Sequence, residues 1–379
     1  MQRPPQSAQR ALADQVKAAA ADHISLRIQG GGSKGFLAVP AGTQQRLDMR
    51  VLAGIVDYEP SELVVTAWAG TPLAELEAAL HEKGQCLPFE PPHFSEGATV
   101  GGMVAAGLSG PGRASAGAVR DFVLGAQLLN GRGETLDFGG QVMKNVAGYD
   151  VSRLLAGSFG TLGAITRVSL KVLPMAPAEA TLRFACDQDT ALELLHGWGG
   201  QPLPLNASRW ALENASDAAS GMLTLRLRGA VAAVNAACAR LGGEPVDAAT
   251  AQAGWSACRD QRLGWFAEAG AGGDLWRLSV PQTAPVLCAE LPGAAGPLVE
   301  WHGGQRWYRL DGADTGSARR LQAAAATVGG HTTLFRTARP DAGLRSTPLT
   351  PALARIESAL RLSFDPDGVF NPDRQPAAA

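Results

Sequence analysis

Residues 28–45 read IQGGGSKGFLAVPAGTQQ, and the fold turns on whether a helix follows the glycines. Gly30, Gly32 and Gly35 satisfy G-x-G-x-x-G, with Asp48 at about the 20-residue spacing of the dinucleotide fingerprint. That fingerprint works only when a helix opens directly after the loop, because its N-terminal N–H groups and dipole hold the pyrophosphate. Pro40 and Gly42 forbid that helix. A Walker loop is excluded too, since Lys34 precedes Gly35 and no Ser or Thr follows. The remaining arrangement is strand–loop–strand, either a plain surface turn or a nest of successive N–H groups that binds phosphate without a helix.

A second cluster, Thr99-Val100-Gly101-Gly102, precedes MVAAG at 103–107, which reads as a short helix offering its first N–H groups. Two such loops in one half of the chain suggest a diphosphate gripped from two sides. Glycine is heavily used, 46 of 379 residues against an average of about 7%. It falls in loops between apolar runs, as expected where backbone wraps a large ligand.

Outward from the loop, 8–21 reads as a helix, and 24–28, 46–50, 54–56 and 63–67 as strands. PLAELEAALHEK (72–83) reads as a helix with Thr71 capping, Pro72 first and Gly84 just past the end. Residues 88–117 are rich in Gly and Pro and lack periodicity. A strand over 119–129 turns at Asn130-Gly131 into a return strand over 134–138. AITRVSLKVL (164–173) is a further strand, and MAPAEA (175–180) reads as a linker. From 180 to 340, strand-like runs alternate with alanine-rich helices at 230–241 and 315–327, a separate α+β unit. A last helix at 351–362 precedes FDPDGVFNPDR.

The length suits two domains, or one with a large insertion. With 46% hydrophobic and 18% charged residues, the chain reads as a soluble globular protein. No run reaches the ~18 apolar residues of a membrane span, and MQRPPQSAQR carries no signal-peptide core, so a cytoplasmic location is expected. A net charge of −2 without a basic stripe argues against nucleic acid. Five cysteines (86, 186, 238, 258, 288) contain no C-x-x-C, so spacing encodes neither an iron–sulfur nor a zinc site, and buried free thiols are expected. Six histidines never fall at H-x-x-x-H spacing, and no metal is expected.

The ordered motifs RIQGGGSKGF (27–36), PPHFSEGATVGGMVAAGLSGP (91–111), VRDFVLG (119–125), MKNVAGYDVSRLLAGSFGTLGAIT (143–166) and DPDGVFNP (365–372) together resemble flavoproteins of the vanillyl-alcohol oxidase/p-cresol methylhydroxylase type. More narrowly, the chain is similar to the FAD-binding subunits of glycolate oxidases that are not the main dehydrogenase subunit. The resemblance implies an α+β fold: a two-subdomain FAD-binding domain over 1–175, an inserted α+β cap over 180–340, and a segment over 341–379 returning to the flavin. It implies FAD held at its pyrophosphate by Gly30, Gly31, Gly32, Ser33 and Lys34. Thr99, Val100, Gly101, Gly102, Ser109 and Gly110 would flank pyrophosphate and flavin. Gly163 and Ile165 would line the adenine side, and Asn371 would lie near the flavin ring. Asn145 is a further candidate there, or a loop brace.

Oxidising a 2-hydroxy acid needs a base for the hydroxyl proton, a cation for the carboxylate and a hydride acceptor. His331 in GGHTTLFR, Arg336, and Arg277 in LWRLSVP are the candidates. An arginine fork suits a carboxylate; a salt-bridged strand arginine and a structurally bonded histidine are the competing readings. The chain lacks the paired-histidine segment of catalytic relatives, with HTT in place of a histidine-glycine step. His93 matches no flavin-attachment motif, so FAD is expected to be non-covalent. The resemblance implies a subunit of a 2-hydroxy-acid (glycolate) oxidase complex, forming glyoxylate beside a homologous catalytic FAD subunit and an iron–sulfur subunit. Those partners would bring it to the cytoplasmic face of the inner membrane. A stand-alone D-lactate-type dehydrogenase and a structural flavin subunit are the alternatives.

Overall fold

The computed structural model describes residues 6–37, 44–140, 150–212, 221–267, 273–288, 291, 295–311, 314–339 and 346–371. They divide into two units, one of residues 1–109, 117–175 and 349–379, the other of 110–116 and 176–348.

In the first unit, helix Gln6–Ala21 buries Leu12, Val16 and Ala19, one stripe at helical spacing. The stripe packs on Leu26 and Leu47 of a parallel strand pair, Leu26–Gln29 and Gln45–Asp48, in one small core with Val369 and Phe370. A second core lies under a five-stranded antiparallel sheet. Its spatial order is Ile55–Glu59, Val64–Trp68, Ala164–Lys171, Val123–Leu129, Thr135–Gly139. The inner strands are buried almost throughout, and the edge strand Thr135–Gly139 alternates exposed and half-buried, as its neighbours dictate.

Several local readings need correction. Residues 119–122 form a helical turn, and the strand starts only at Val123. The 175–180 stretch is no linker, because a cap strand already begins at Ala178. Thr71 does not cap helix Leu73–Glu82; its hydroxyl donates to the carbonyls of Gly54 and Trp68, which ties the turn before the helix to the sheet. None of the five cysteines forms a disulfide, but only Cys258 is fully buried.

The tail closes the first unit. Leu26 N–H donates to Val369 O at 2.7 Å and Asn371 N–H to Leu26 O at 3.0 Å, so 369–371 run beside the strand that feeds the glycine loop. Buried Asp365 holds this turn by accepting from Val369 N–H at 2.9 Å and Phe370 N–H at 2.8 Å. Asp365→Asn would turn an amide NH2 toward one of those donors and strand it. The expected loss is about 2 kcal/mol, read from urea unfolding; a variant as stable as the parent would show the turn is held by other contacts.

The second unit is an eight-stranded antiparallel sheet in the order Glu244–Val246, Ala178–Ala185, Gly221–Gly229, Leu205–Leu212, Ala295–Glu300, Gln305–Asp311, Gly273–Ser279, His331–Arg336. One face packs Leu182, Leu225, Trp276 and Leu334 against helices Gln188–Gly199, Val231–Leu241 and Thr315–Thr327. Helix Ala248–Arg259 covers one end of the other face through Trp255 and Cys258. That second face also carries Arg277 and His331.

Candidate functional site

Strand Leu26–Gln29 delivers the loop Gly30–Gly35, after which there is only a 3-10 turn, Gly35–Leu37. Pro40 and Gly42 lie outside the described residues. Asp48, which the fingerprint would give to a ribose, is held by Arg50 at 2.6 Å and Arg46 at 2.9 Å. Its hydrogen bond with Arg50 holds its carboxyl below the usual range. The fingerprint is therefore a coincidence of letters.

The loop nevertheless faces a cleft with about 240 Å³ of enclosed space, or about 1090 Å³ counting its open mouth. Eleven of the expected FAD residues line it: Gly30, Gly31, Gly32, Ser33, Lys34, Thr99, Gly101, Gly102, Gly163, Ile165 and Asn371. Four stretches far apart in sequence thus meet around one space. Two of these contacts require glycine. A Cβ on Gly31 would run into the Gly97 carbonyl, and one on Gly101 would sit 2.5 Å from the Ala69 Cβ.

Donors in the cleft are unequally available. Among the described residues, no acceptor is found for the N–H groups of Gly31, Gly32 and Ser33. The second cluster differs from expectation. Helix Val100–Ala106 begins there, yet Val100 N–H goes to Thr71 O at 3.0 Å, Gly101 N–H to Ala69 O at 2.7 Å and Gly102 N–H to the capping Thr99 Oγ1 at 3.3 Å. These three donors are spent on the fold, so the cluster offers close approach and not a second N–H cradle. A loop with unmet N–H groups, the ammonium of Lys34 beside it, and glycine walls fits one diphosphate.

Three expected residues stand elsewhere. Val100 is fully buried in the core under the sheet. Ser109 Oγ accepts Val119 N–H at 3.2 Å, and Gly110 O accepts the Trp301 indole N–H at 3.0 Å; neither lines the cleft. Asn145 lies outside the described residues. Asn371 lines the cleft as a brace: Oδ1 accepts Ile28 N–H at 2.9 Å and Nδ2 donates to Phe159 O at 2.7 Å. Sequence reasoning missed Arg27, Gln29, Ala69, Phe159 and Gly160. Strand alternation offered a signal for Arg27 and Gln29, and GSFGTLG one for Gly160. Ala69 had none. His93 pairs with Glu77 at 2.8 Å.

The cap brings its three candidates to one face. Arg277 pairs in register with Trp307 and Thr333, Ser279 with His331, and Leu275 with Arg336. Arg277 and His331 are therefore diagonal cross-strand neighbours, about 7–8 Å apart at the backbone. Arg277 differs from the fully buried Arg306, whose guanidinium is satisfied by the carbonyls of Pro285, Ala284 and Gly303. Its own Nε is buried without an acceptor among the described residues, and its guanidinium lies 5.6 Å from the Phe335 ring. Burial, with Arg113 nearby, lowers its pKa to about 10. Burial first, then Arg277, lowers that of His331, and burial that of Arg336. A guanidinium so placed suits a carboxylate, and a neutral imidazole beside it can accept a proton.

Among the described residues, no three His, Cys, Asp or Glu side chains cluster as a metal site requires, and no helix is long and apolar enough to cross a membrane.

Comparison with known proteins agrees with the cleft. The family described as FAD binding domain matches residues 5–139. Over 364 residues, 96% of each chain, the sequence is 45% identical to glycolate oxidase subunit GlcE of Escherichia coli (strain K12). It is 31% identical to glycolate oxidase subunit GlcD of Bacillus subtilis (strain 168) over 128 residues, 34% of this chain and 27% of that one. A solved alkyldihydroxyacetonephosphate synthase superposes on 96% of this chain and 74% of its own with a TM-score of 0.67 at 16% identity, a likeness of fold. The glycine-walled cleft thus belongs to an α+β FAD-binding fold, and, with a likeness that runs nearly end to end, the chain belongs to the family of glycolate oxidase subunit GlcE.

Proposed function

We propose that the chain is the FAD-binding subunit of a glycolate oxidase complex, oxidising glycolate to glyoxylate with a homologous flavin subunit and an iron–sulfur subunit. The observation that carries the cofactor half is the cleft onto which the Gly30–Lys34 loop, Thr99, Gly101, Gly102 and Asn371 converge. The family relationship supports the substrate half. Gly31, Gly32 and Ser33 N–H groups and Lys34 take the diphosphate, and Asn371 keeps the loop in place. FAD, non-covalently bound, supplies the hydride acceptor. Arg277 orients a 2-hydroxy acid by its carboxylate, and His331, kept neutral by burial and by Arg277, takes the hydroxyl proton; Arg336 adds positive potential on the same face. The sequence has no cysteine spacing for an iron–sulfur cluster, so electrons pass to a partner, at the cytoplasmic face of the inner membrane.

The test is anaerobic. Reconstituted with both partner subunits, the FAD-loaded chain should turn over glycolate, and Arg277→Met should lower kcat/KM about tenfold, the value of a charge-assisted bidentate contact. The isolated chain turning over glycolate with an artificial acceptor at the rate of the complex would overturn the subunit reading. An unchanged Arg277→Met complex would remove Arg277 from the site.

A further inference from the structure

Strand Leu26–Gln29 turns its side chains alternately to two sides. Leu26 and Ile28 pack into the core with Leu47, while Arg27 and Gln29 point the other way and line the cofactor cleft. The loop that follows turns back over them, closed by Gly35 N–H donating to Gly32 O at 3.0 Å. A Cβ on Gly32 would meet Gln29 Nε2 at 3.0 Å, and one on Gly35 would meet Arg27 Nη2 at 3.9 Å. The Arg27 guanidinium therefore stands against the same loop that carries the unmet N–H groups of Gly31, Gly32 and Ser33.

That guanidinium has no hydrogen bond or ion pair among the described residues, and the neighbouring strand makes this costly. Arg27 stands in register with Arg46 on the parallel strand Gln45–Asp48, so two like charges lie side by side, which destabilises a strand pair. The acid on that face, Asp48, is already taken by Arg46 at 2.9 Å and Arg50 at 2.6 Å. Arg306 shows how a structural arginine is held, with three backbone carbonyls on its guanidinium. Among the described residues that line the cleft, Arg27 and Lys34 are basic and none is acidic. Lys34 is partly engaged, its ammonium 3.2 Å from Ser33 Oγ and 5.7 Å from the Phe94 ring. A diphosphate diester carries two negative charges, which one lysine does not balance.

We propose that Arg27 is a diphosphate-binding residue of the cofactor cleft, its fork taking phosphate oxygens beside the Gly31–Ser33 N–H groups, a role that rests on the FAD reading of that cleft. The planar fork suits phosphate, and a bound anion offsets the repulsion between Arg27 and Arg46. Arg27 thus serves the loaded chain and not the fold. Removing its charge weakens the cofactor and spares the apo protein, the opposite of what loss of a structural arginine does.

The experiment strips FAD from the full chain and titrates it back by calorimetry into parent, Arg27→Gln and Arg27→Lys, at low and at physiological salt. ADP-ribose, which carries the same diphosphate without the flavin ring, is the second probe, and urea unfolding of the three apo chains reads the fold. Affinity for both probes should be about tenfold weaker in Arg27→Gln, with the defect narrowing as salt screens the charge. Arg27→Lys should recover most of the loss, and neither apo variant should be less stable than the parent. Parental FAD affinity in Arg27→Gln, or affinity lost only together with apo stability, would overturn the role of Arg27 and leave the cofactor reading in place. A parent chain that takes up neither probe would overturn both.

Discussion

Gly31→Ala is expected to leave the chain colourless, with FAD affinity reduced more than 100-fold, while Gly35→Ala stays yellow. Both glycines lie in one loop, and Gly35, not Gly31, belongs to the letter pattern G-x-G-x-x-G. The geometry reverses their importance. A Cβ on Gly31 has nowhere to go, because the Gly97 carbonyl occupies its place, and Gly97 in turn lies against Gly31 O at 3.1 Å from its own would-be Cβ. Backbone packs on backbone here, so relief requires moving the loop, and with it the unmet N–H groups of Gly31, Gly32 and Ser33. A pocket polar group displaced by even an ångström loses its ligand bond. At Gly35 the nearest atom to a new Cβ is the far end of Arg27, 3.9 Å away, and φ is not in the left-handed region. Calorimetry with FAD, alongside circular dichroism to establish folding, reads the result. Should Gly31→Ala be unfolded, Gly32→Ala substitutes for it, since Gly32 has φ +75° and its Cβ would stand 3.0 Å from Gln29 Nε2. A folded variant of either kind with parental FAD affinity would refute the loop's role.

The contrast also shows what a linear reading can and cannot reach. Pro40 and Gly42 were enough to reject a helix after the loop, because their backbone preferences are local. The helix stripe Leu73, Leu76, Leu80 was equally visible, as were the strand runs that became the five-stranded sheet. Thr99 marks the limit. The short helix after it was readable, but the destination of its first N–H groups depends on Ala69 and Thr71, whose approach only the folded chain reveals. Asn371 is similar: a loop asparagine in a tail gives no hint that its amide bridges Ile28 to Phe159. In the cap, alternation placed Arg277 on a strand, yet its unmet Nε and the satisfied guanidinium of Arg306 look alike in sequence. The grouping of 110–116 with the cap unit has no local signature at all.

One of the contacts behind that grouping is made by a histidine, and protonation should weaken it. His302 sits in a 3-10 turn at φ +56°. Its backbone N–H donates to Ser208 Oγ at 2.9 Å, its Nδ1 meets the same oxygen at 3.0 Å, and its Nε2 meets Ser115 Oγ at 3.1 Å. Ser208 Oγ, accepting from the backbone, gives its own proton to Nδ1, which leaves Nε2–H to donate to Ser115: a neutral imidazole with both nitrogens used. Burial lowers its pKa from 6.5 to about 4. Between those values the unfolded chain binds the proton that the folded one refuses, so stability rises with pH across the window and is lost on acidification. At pH 4 the loss from this group relative to neutral pH is about 3 kcal/mol. It falls on the contacts of 110–116, which the Trp301 N–H to Gly110 and the Arg113 guanidinium, 4.5 Å over the Trp301 ring, also hold. His302→Gln keeps one hydroxyl partner and cannot be protonated, so it should be about 1 kcal/mol less stable than the parent at pH 7 and more stable at pH 4. Urea unfolding of both proteins across that range, taken as a difference, cancels the carboxylates they share. A difference that stays flat with pH would show that the imidazole is already protonated, or already solvated, in the folded chain.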